Sequence, residues 1–494
     1  MKFVQKFLND NKPYSLLAGF CAGFYPVLFY YSNNFGLVNS WDHLGFFLIN
    51  FLCLPMAACF VGYKLFGIST LKRWQRYVLP FVNMFAFLFL LKICLYAGLQ
   101  KKISLGILVF SLVYTWLLWK HYKKVMIFQL LLAITGMYTF TNTLISQTRF
   151  TKEWMEQPDD IRSVRFVKDP NIYVIQPDGY VNFSEISGGE YHYDNSAFKG
   201  YLDTQGFTHY DGFRSNYAST LSSNSSAFMM KHHYYNKGTS FNEGINARNI
   251  IMGDNPILEI FRDNGYKSYF IAEKPYLMMN RPELGFDYTN YSYQDIPYIT
   301  SGLRLDRDLG PDFAETIDDG YTGTRFYFME MLNPGHIPNQ AANSEGPEQE
   351  RLNWLESLEW ANEKLSGLID QIVTHDPDAM IIILADHGGY VGLNISSDST
   401  VKTQDRDIIH SMFSSQLSVR WPNGVAPPFD GQLKSSVNLF RILFSYLSED
   451  QKYLQHLQAD DSYMIIYEGA PKGVYRLLDS NDNVTFEKVE LFTY

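Results

Sequence analysis

Four side chains, in three places along the chain, carry groups from which a catalytic site can be made: the carboxylate of Asp178, the hydroxyl of Thr220, and the carboxylate and imidazole of Asp386-His387. Asp178 follows the apolar run 171–176 (NIYVIQ) at a Pro177-Asp178-Gly179 break, and Asp386-His387 follows the run 380–384 (MIIIL) ahead of Gly388-Gly389, where glycine lets the backbone turn. Such runs fill strands buried on both faces of a mostly parallel sheet, and open α/β sheets place ligands at the carboxyl ends of those strands. Thr220 lies in 213–230 (FRSNYASTLSSNSSAFMM) among six serines, a composition that by itself reads as a helix N-cap cluster. Taken with the two strand ends it reads as a nucleophile. A Thr hydroxyl is weak at neutral pH, and a divalent cation held by carboxylates and an imidazole lowers its pKa enough to expose the alkoxide. Asp178, Thr220, Asp386 and His387 together offer oxygens and one nitrogen, which suits zinc or manganese better than the all-oxygen shell of calcium.

The elements that must position these groups are legible as helix and strand patterns. Residues 352–373 carry apolar side chains at helical spacing and run through His375-Asp376-Pro377-Asp378 into the strand that ends at Asp386, which is α/β grammar. Further strands are expected at 325–331 and 417–421, and a helix at 436–447. Strands at 463–467 and 473–478 form a small terminal sheet to which the sequence assigns no chemistry. Residues 151–168 read as a polar connector or a surface helix lying along the membrane. All four cysteines fall in the first 150 residues, so the polar part has no disulfide and no cysteine nucleophile.

Ahead of the polar part, five apolar stretches long enough to span a bilayer follow one another, at 14–31, 44–63, 78–99, 103–119 and 125–145. These 150 residues hold fourteen Lys or Arg against Asp10 and Asp42 alone, a balance of +12, whereas the remainder stands at −22. So acidic a polar part excludes nucleic acid as its partner. Lys2, Lys6, Lys12, Lys64, Lys72, Arg73, Arg76, Lys120, Lys123 and Lys124 fall on one side of the spans and only Lys101 and Lys102 in the loops of the other, which places the amino terminus in the cytoplasm and everything after residue 150 outside. Lys92, inside the third span, is expected to snorkel toward the outer interface. The division expected is a membrane domain at 1–150, a connector at 151–168, a catalytic domain at 169–450 and a small C-terminal β subdomain at 451–494.

With these motifs in hand, the chain resembles the sulfatase-like branch of the alkaline phosphatase superfamily, and its five spans and outer domain resemble the membrane-anchored lipoteichoic acid synthases and lipid A phosphoethanolamine transferases. The resemblance rests on residues 171–180, 214–226, 332–338 and 381–389. It implies an α-helical five-span membrane domain followed by an alkaline-phosphatase-like α/β domain with a mostly parallel central sheet and a small C-terminal sheet. It aligns Asp178 and Asp386-His387 with the metal ligands and Thr220 with the nucleophile. His336, in Leu332-Asn333-Pro334-Gly335-His336, matches a histidine that contacts the transferred group or a second metal. His410 is a further candidate for such a role. Asn333 stands near the place of a second-metal acid and is uncharged, so one tightly bound metal is expected. Where sulfatases carry C-x-P-S-R or its serine form, this chain reads Thr220-Leu221-Ser222-Ser223-Asn224, and threonine cannot become formylglycine. The implied activity is therefore transfer of a phospholipid head group, phosphoethanolamine or phosphoglycerol, to an envelope glycan or glycolipid. A phosphodiesterase or sulfatase-like hydrolase and a non-catalytic envelope scaffold are the alternatives.

Overall fold

The computed structural model describes residues 2–490 apart from 69, 237–244, 254, 300–304 and 318. The chain forms two compact units, one made of Met1–Arg149, Met279–Arg281 and Tyr293–Arg304, the other of Phe150–Met278, Pro282–Ser292 and Leu305–Tyr494.

The first unit is helical: α1 (Ser15–Val38), a segment from Trp41 that passes through a π turn at Leu48–Cys53 into α2 (Leu54–Leu65), α3 (Gln75–Tyr96), α4 (Lys101–Leu118) and α5 (Tyr122–Thr148). Four segments are long and apolar enough to cross a membrane: Ser15–Val38, Trp41–Leu65, Lys72–Tyr96 and Lys101–Met155. The expected count of five is therefore not reached by this measure. The last segment holds both α4 and α5, parted only by the 3₁₀ turn Trp119–His121, because the basic stretch 120–124 keeps helical backbone. A buried amide pair ties three helices, Asn83 Nδ2 donating to Ala18 O (2.7 Å) and to Gln129 Oε1 (2.9 Å), the kind of polar glue an apolar bundle needs. Lys92 Nζ reaches past the end of α3 to the carbonyls of Gly98 (2.9 Å) and Leu99 (2.7 Å). Far along the chain, Tyr298 returns to this unit, stacking on Phe46 at 4.5 Å with Arg281 over its ring at 3.9 Å.

The second unit is built on a seven-stranded sheet of β1 (Ile172–Pro177), β2 (Phe207–His209), β3 (Lys267–Ala272), β4 (Tyr288–Thr289), β5 (Arg325–Met331), β6 (Met380–Leu384) and β7 (Leu417–Arg420), in the order β2-β7-β6-β1-β5-β3-β4. From β6 to β4 every pairing is parallel; β7 runs antiparallel to both β6 and β2. All residues of β1, β5 and β6 are buried, as strands covered on both faces must be. Helix α7 (Pro347–His375) turns Trp354, Leu358, Ala361, Leu365, Leu368, Ile369 and Ile372 into the core, and each of the Leu and Ile side chains contributes about 1.5–3 kcal/mol by leaving water.

A three-stranded antiparallel sheet, β8 (Ser462–Ile466), β9 (Gly473–Leu478) and β10 (Val484–Lys488), closes the unit. Its third strand is absent from the sequence expectation because only Val484 and Phe486 supply an apolar face there. Residues 151–168 form no surface helix. They make two 3₁₀ turns and belong to the second unit, with Ile161 and Val164 buried, Asp159 accepting from Arg441 (2.6 Å) and Gln157 donating to Met229 O (2.7 Å).

Candidate active site

Parallel pairing of β1 with β6 matches Ile175 to Ile383, so Asp178 and Asp386, each three residues further on, leave adjacent strands side by side. Asp178 is fixed by its backbone, its N–H donating to Met331 O and its carbonyl accepting from Gly335, both at 2.8 Å. Gly179, at φ +66°, sits where a Cβ would lie 2.1 Å from the Gly335 carbonyl, so only glycine allows this approach. Asp386 Oδ1 accepts the N–H groups of Gly179 (3.2 Å) and His387 (3.1 Å), leaving Oδ2 for the site. Gly388 does not serve as a left-handed turn. It admits the Ser411 carbonyl, which a Cβ would meet at 2.2 Å, so the motif needs glycine for space against α8 (Arg406–Phe413).

His387 Nδ1 lies 2.8 Å from the Gly388 carbonyl, which directs Nε2 into the site, 3.3 Å from Asp178 Oδ1 and 3.4 Å from both Asp386 Oδ2 and Thr220 Oγ1. Asp178, Asp386 and His387 each offer a ligand atom within 4.8 Å of the others. Asp178 Oδ1 and Asp386 Oδ2 are buried and have no hydrogen-bond partner, an arrangement that costs free energy unless a cation or proton joins them. Burial, and then the neighbouring Asp386 carboxylate, push Asp178 up to about 7. Burial works against protonation of His387, but the Asp386 and Asp178 carboxylates outweigh it and raise the imidazole. Two orphaned carboxylate oxygens and one nitrogen aimed at a common point fit a divalent cation.

Thr220 opens α6 (Thr220–Met229), whose residues from Leu221 to Met229 are all buried. The N-cap explanation for its hydroxyls fails, since the Ser219 side chain caps nothing and the hydroxyls of Ser219, Ser222 and Ser223 have no hydrogen-bond partner. The helix is held from beneath by a reciprocal amide pair, Asn224 and Gln176 (2.7 and 2.8 Å), and from behind by His233, whose Nε2 lies 3.0 Å from Ser222 O and whose ring stacks on Tyr217 at 4.0 Å. His232 bonds the Ala459 carbonyl (2.8 Å). His233 thus braces the helix while His232 ties the preceding segment to Ala459, and burial lowers the imidazole of each.

The pocket beside Thr220 has a volume of 260 Å³ and is lined by His336, His387 and Asn339, by Tyr235, Tyr276 and Tyr390, by the hydroxyls of Ser396, Ser397, Ser399 and Thr400, and by Met464 and Ile465 of the small sheet. No Lys, Arg, Asp or Glu lines it among the described residues. His336 Nδ1 lies 2.7 Å from the Ile337 carbonyl, so its neutral ring carries the proton there and presents Nε2 as an acceptor. Desolvation and the nearby His387 hold His336 below the usual imidazole value.

Two expected participants are placed elsewhere. Asn333 spends its amide on Ser357 (3.0 Å) and Lys364 (3.3 Å) of α7. His410 is buried in α8 between Glu185 and Asp482, 3.7 Å from each, and joins no metal-holding group. Neither lines the pocket.

Two residues escaped the sequence reading. Tyr390, left-handed at φ +61°, donates its hydroxyl to the Ala218 carbonyl and sets its ring against His387 (5.5 Å) and His336 (5.7 Å). A bulky residue held in that backbone region directly after a Gly-Gly pair was the signal for it only in hindsight of the fold. Glu330, aligned with Gln176 across β5 and β1, is buried with both carboxyl oxygens unpartnered. Burial, then Asp178 and Asp386, push it well above the ordinary carboxylate range.

A model of the sulfatase family matches residues 182–446, more than half of the chain, beginning just past Asp178 and including Thr220, His336, Asp386 and His387. No protein of curated function matches the chain in sequence. Among solved structures, the C-terminal periplasmic domain of EcEptC from Escherichia coli is 12% identical, over 64% of this chain and 94% of that one, with a TM-score of 0.44. The lipoteichoic acid synthase LtaP from Listeria monocytogenes is 12% identical over 66% and 91%, with a TM-score of 0.42. The putative sulfatase yidJ from Bacteroides fragilis is 12% identical over 65% and 85%, with a TM-score of 0.42.

Proposed function

The chain belongs to the sulfatase family, and from that premise we propose that it is a membrane-anchored, metal-dependent phosphotransferase that moves a phospholipid head group, phosphoethanolamine or phosphoglycerol, to an envelope glycan or glycolipid. The observation that carries this reading is the Thr220 hydroxyl, 3.4 Å from His387 Nε2, at the amino end of a buried helix beside two carboxylates with orphaned oxygens. Threonine there cannot be converted to formylglycine, and a hydroxyl so placed favours attack on phosphorus over sulfate ester hydrolysis.

Asp178, Asp386 and His387 would hold a divalent cation, zinc or manganese, which would balance both carboxylates and lower the pKa of the Thr220 hydroxyl. Thr220 Oγ1 bonds to phosphorus, the bond from phosphorus to the diacylglycerol oxygen breaks, and that oxygen takes up the proton Thr220 gave up. The first N–H groups of α6 have no partner within the helix, and with the helix dipole they favour the charge on the phosphoryl oxygens. An acceptor hydroxyl then attacks the phospho-threonine, His336 Nε2 takes its proton, and Thr220 leaves and is reprotonated.

Mass spectrometry of the intact chain after exposure to labelled phospholipid tests this. Label on Thr220 that passes to added glycan supports transfer, label released by water alone makes the protein a hydrolase, and an unlabelled Thr220 sinks both. His336→Ala is expected to slow turnover about 10²- to 10⁴-fold, the range for a lost proton-transfer group, while Thr220 still takes up label and the labelled form accumulates because only its resolution is slowed. Because His336 is held below the usual imidazole value of 6.5, the acid limb of the wild-type rate profile is expected below that pH. An unchanged limb in the Ala variant would assign it to another group.

The proposed topology has five spans, α4 and α5 counted separately, with the amino terminus cytoplasmic. A reporter fused after Phe150 is expected to be active outside the cytoplasm and one fused after Arg76 is not. The opposite pattern removes the lipid donor from reach.

A further inference from the structure

At the end of the helical unit where α2 leaves and α3 begins, a recess of 660 Å³ opens between α3, α4 and the 3₁₀ turn Lys72–Trp74. Its volume falls within the roughly 300–1,000 Å³ typical of small-molecule sites. Its floor is apolar and aromatic, with Phe81 on α3 and Leu112 and Trp116 on α4, and its rim carries Arg73 and Arg76. Trp116 is 73% exposed and Leu112 53%, so the wall is open to whatever surrounds the helices.

The two guanidinium groups are the unusual feature. Arg73 lies over the ring of Trp74 at 5.3 Å, and Arg76 over Tyr77 at 4.7 Å and Trp119 at 5.2 Å; neither has an ion-pair partner among the described residues. No carboxylate of the first 150 residues is free to neutralise them. Asp10 is spent on Lys123 at 2.7 Å, and Asp42, beyond the opposite end of α1, lies 4.0 Å from Arg281. Stacking on aromatic faces fixes the guanidinium planes while leaving their N–H edges for an acceptor. A ligand that meets both parts of the recess has an anionic head for the arginines and a hydrocarbon chain for the aromatic floor.

We propose that this recess is a binding site for one anionic phospholipid, its phosphate held by Arg73 and Arg76 and an acyl chain laid along Phe81, Leu112 and Trp116. Basic pockets between membrane helices recognise anionic head groups in this way. The site is separate from the Thr220 pocket and does not depend on the reaction proposed there.

The full-length protein in detergent, equilibrated with anionic phosphatidic acid or with zwitterionic phosphatidylcholine, neither of which carries the head group of the proposed donor, is examined by native mass spectrometry and by thermal melting. Phosphatidic acid is expected to be retained and to raise the melting temperature, and phosphatidylcholine to do neither at the same concentration. Each arginine removed as Arg73→Gln or Arg76→Gln is expected to weaken retention about fivefold, with the double variant one lipid short. Arg73→Lys with Arg76→Lys keeps the charge but not the stacked plane and is expected to retain the lipid more weakly than wild type and more strongly than the Gln double variant, which separates lost recognition from lost folding. Lys101→Gln with Lys102→Gln, at the other end of the helices, is expected to change nothing. Equal retention of the zwitterionic lipid, full retention in the Gln double variant, or equal loss in the Lys101/Lys102 variant overturns the proposal.

Discussion

Thr220→Ala is expected to lose turnover and covalent labelling together, by on the order of 10⁴- to 10⁶-fold, the scale seen when an enzyme loses its nucleophile. The argument is one of place. Thr220 Oγ1 is the hydroxyl that faces His387 Nε2 at 3.4 Å, whereas Ser222 and Ser223 are buried inside α6. Ser219, just before it, also lines the pocket, but its Oγ is buried. Thr220→Ser keeps the oxygen and is expected to retain measurable activity and labelling. The metal content of Thr220→Ala should remain, because Asp178, Asp386 and His387 do not require Thr220 to be held in place. If Thr220→Ala still gains the lipid-derived mass, the nucleophile is another hydroxyl, with Ser219, whose side chain lines the same pocket, the first to test.

Asp386→Asn is expected to lose the bound cation, measured by elemental analysis against about one zinc or manganese per wild-type chain. The substitution is mild for the fold, since an amide oxygen at the Oδ1 position still accepts from Gly179 and His387. At the Oδ2 position it places an N–H₂ group where the orphaned oxygen stood, and a nitrogen that donates cannot ligate. Affinity should fall by more than the 10- to 100-fold typical of a lost outer partner, because this atom touches the cation directly. Removing one of two adjacent buried carboxylates also relieves their repulsion, so the metal-free variant is expected to melt above metal-free wild type. Added metal should then raise the melting temperature of wild type and leave the variant unmoved. Unchanged metal content in Asp386→Asn would overturn the ligand assignment.

Strand ends, hydroxyl clusters and spans were readable in one dimension because each depends on neighbours in sequence. A run such as Met380–Leu384 is apolar throughout because both its faces are covered, and the break at Asp386 is visible without knowing what covers it. The charge contrast between the first 150 residues and the rest is a matter of composition and needs no contacts to read. The span count was less secure. The turn Trp119–His121 breaks α4 from α5 so little that helix length alone does not separate them.

What only the tertiary structure decided is which of these local signals meet. The sequence by itself determined that Asp178 and Asp386 each follow a buried strand; the pairing of β1 with β6, made across some two hundred residues, is what sets the two carboxylates side by side. His410 and Asn333 had the right chemistry and the wrong surroundings, one enclosed by Glu185 and Asp482, the other spent on α7. Tyr390, Glu330 and the Met464-Ile465 wall carried no sequence signal because their roles come from partners remote in the chain: Ala218, Gln176 and the Thr220 pocket. Residue type and local period determine the strands, the helices and the reactive groups, while long-range packing determines which reactive groups share a site and which are buried apart from it.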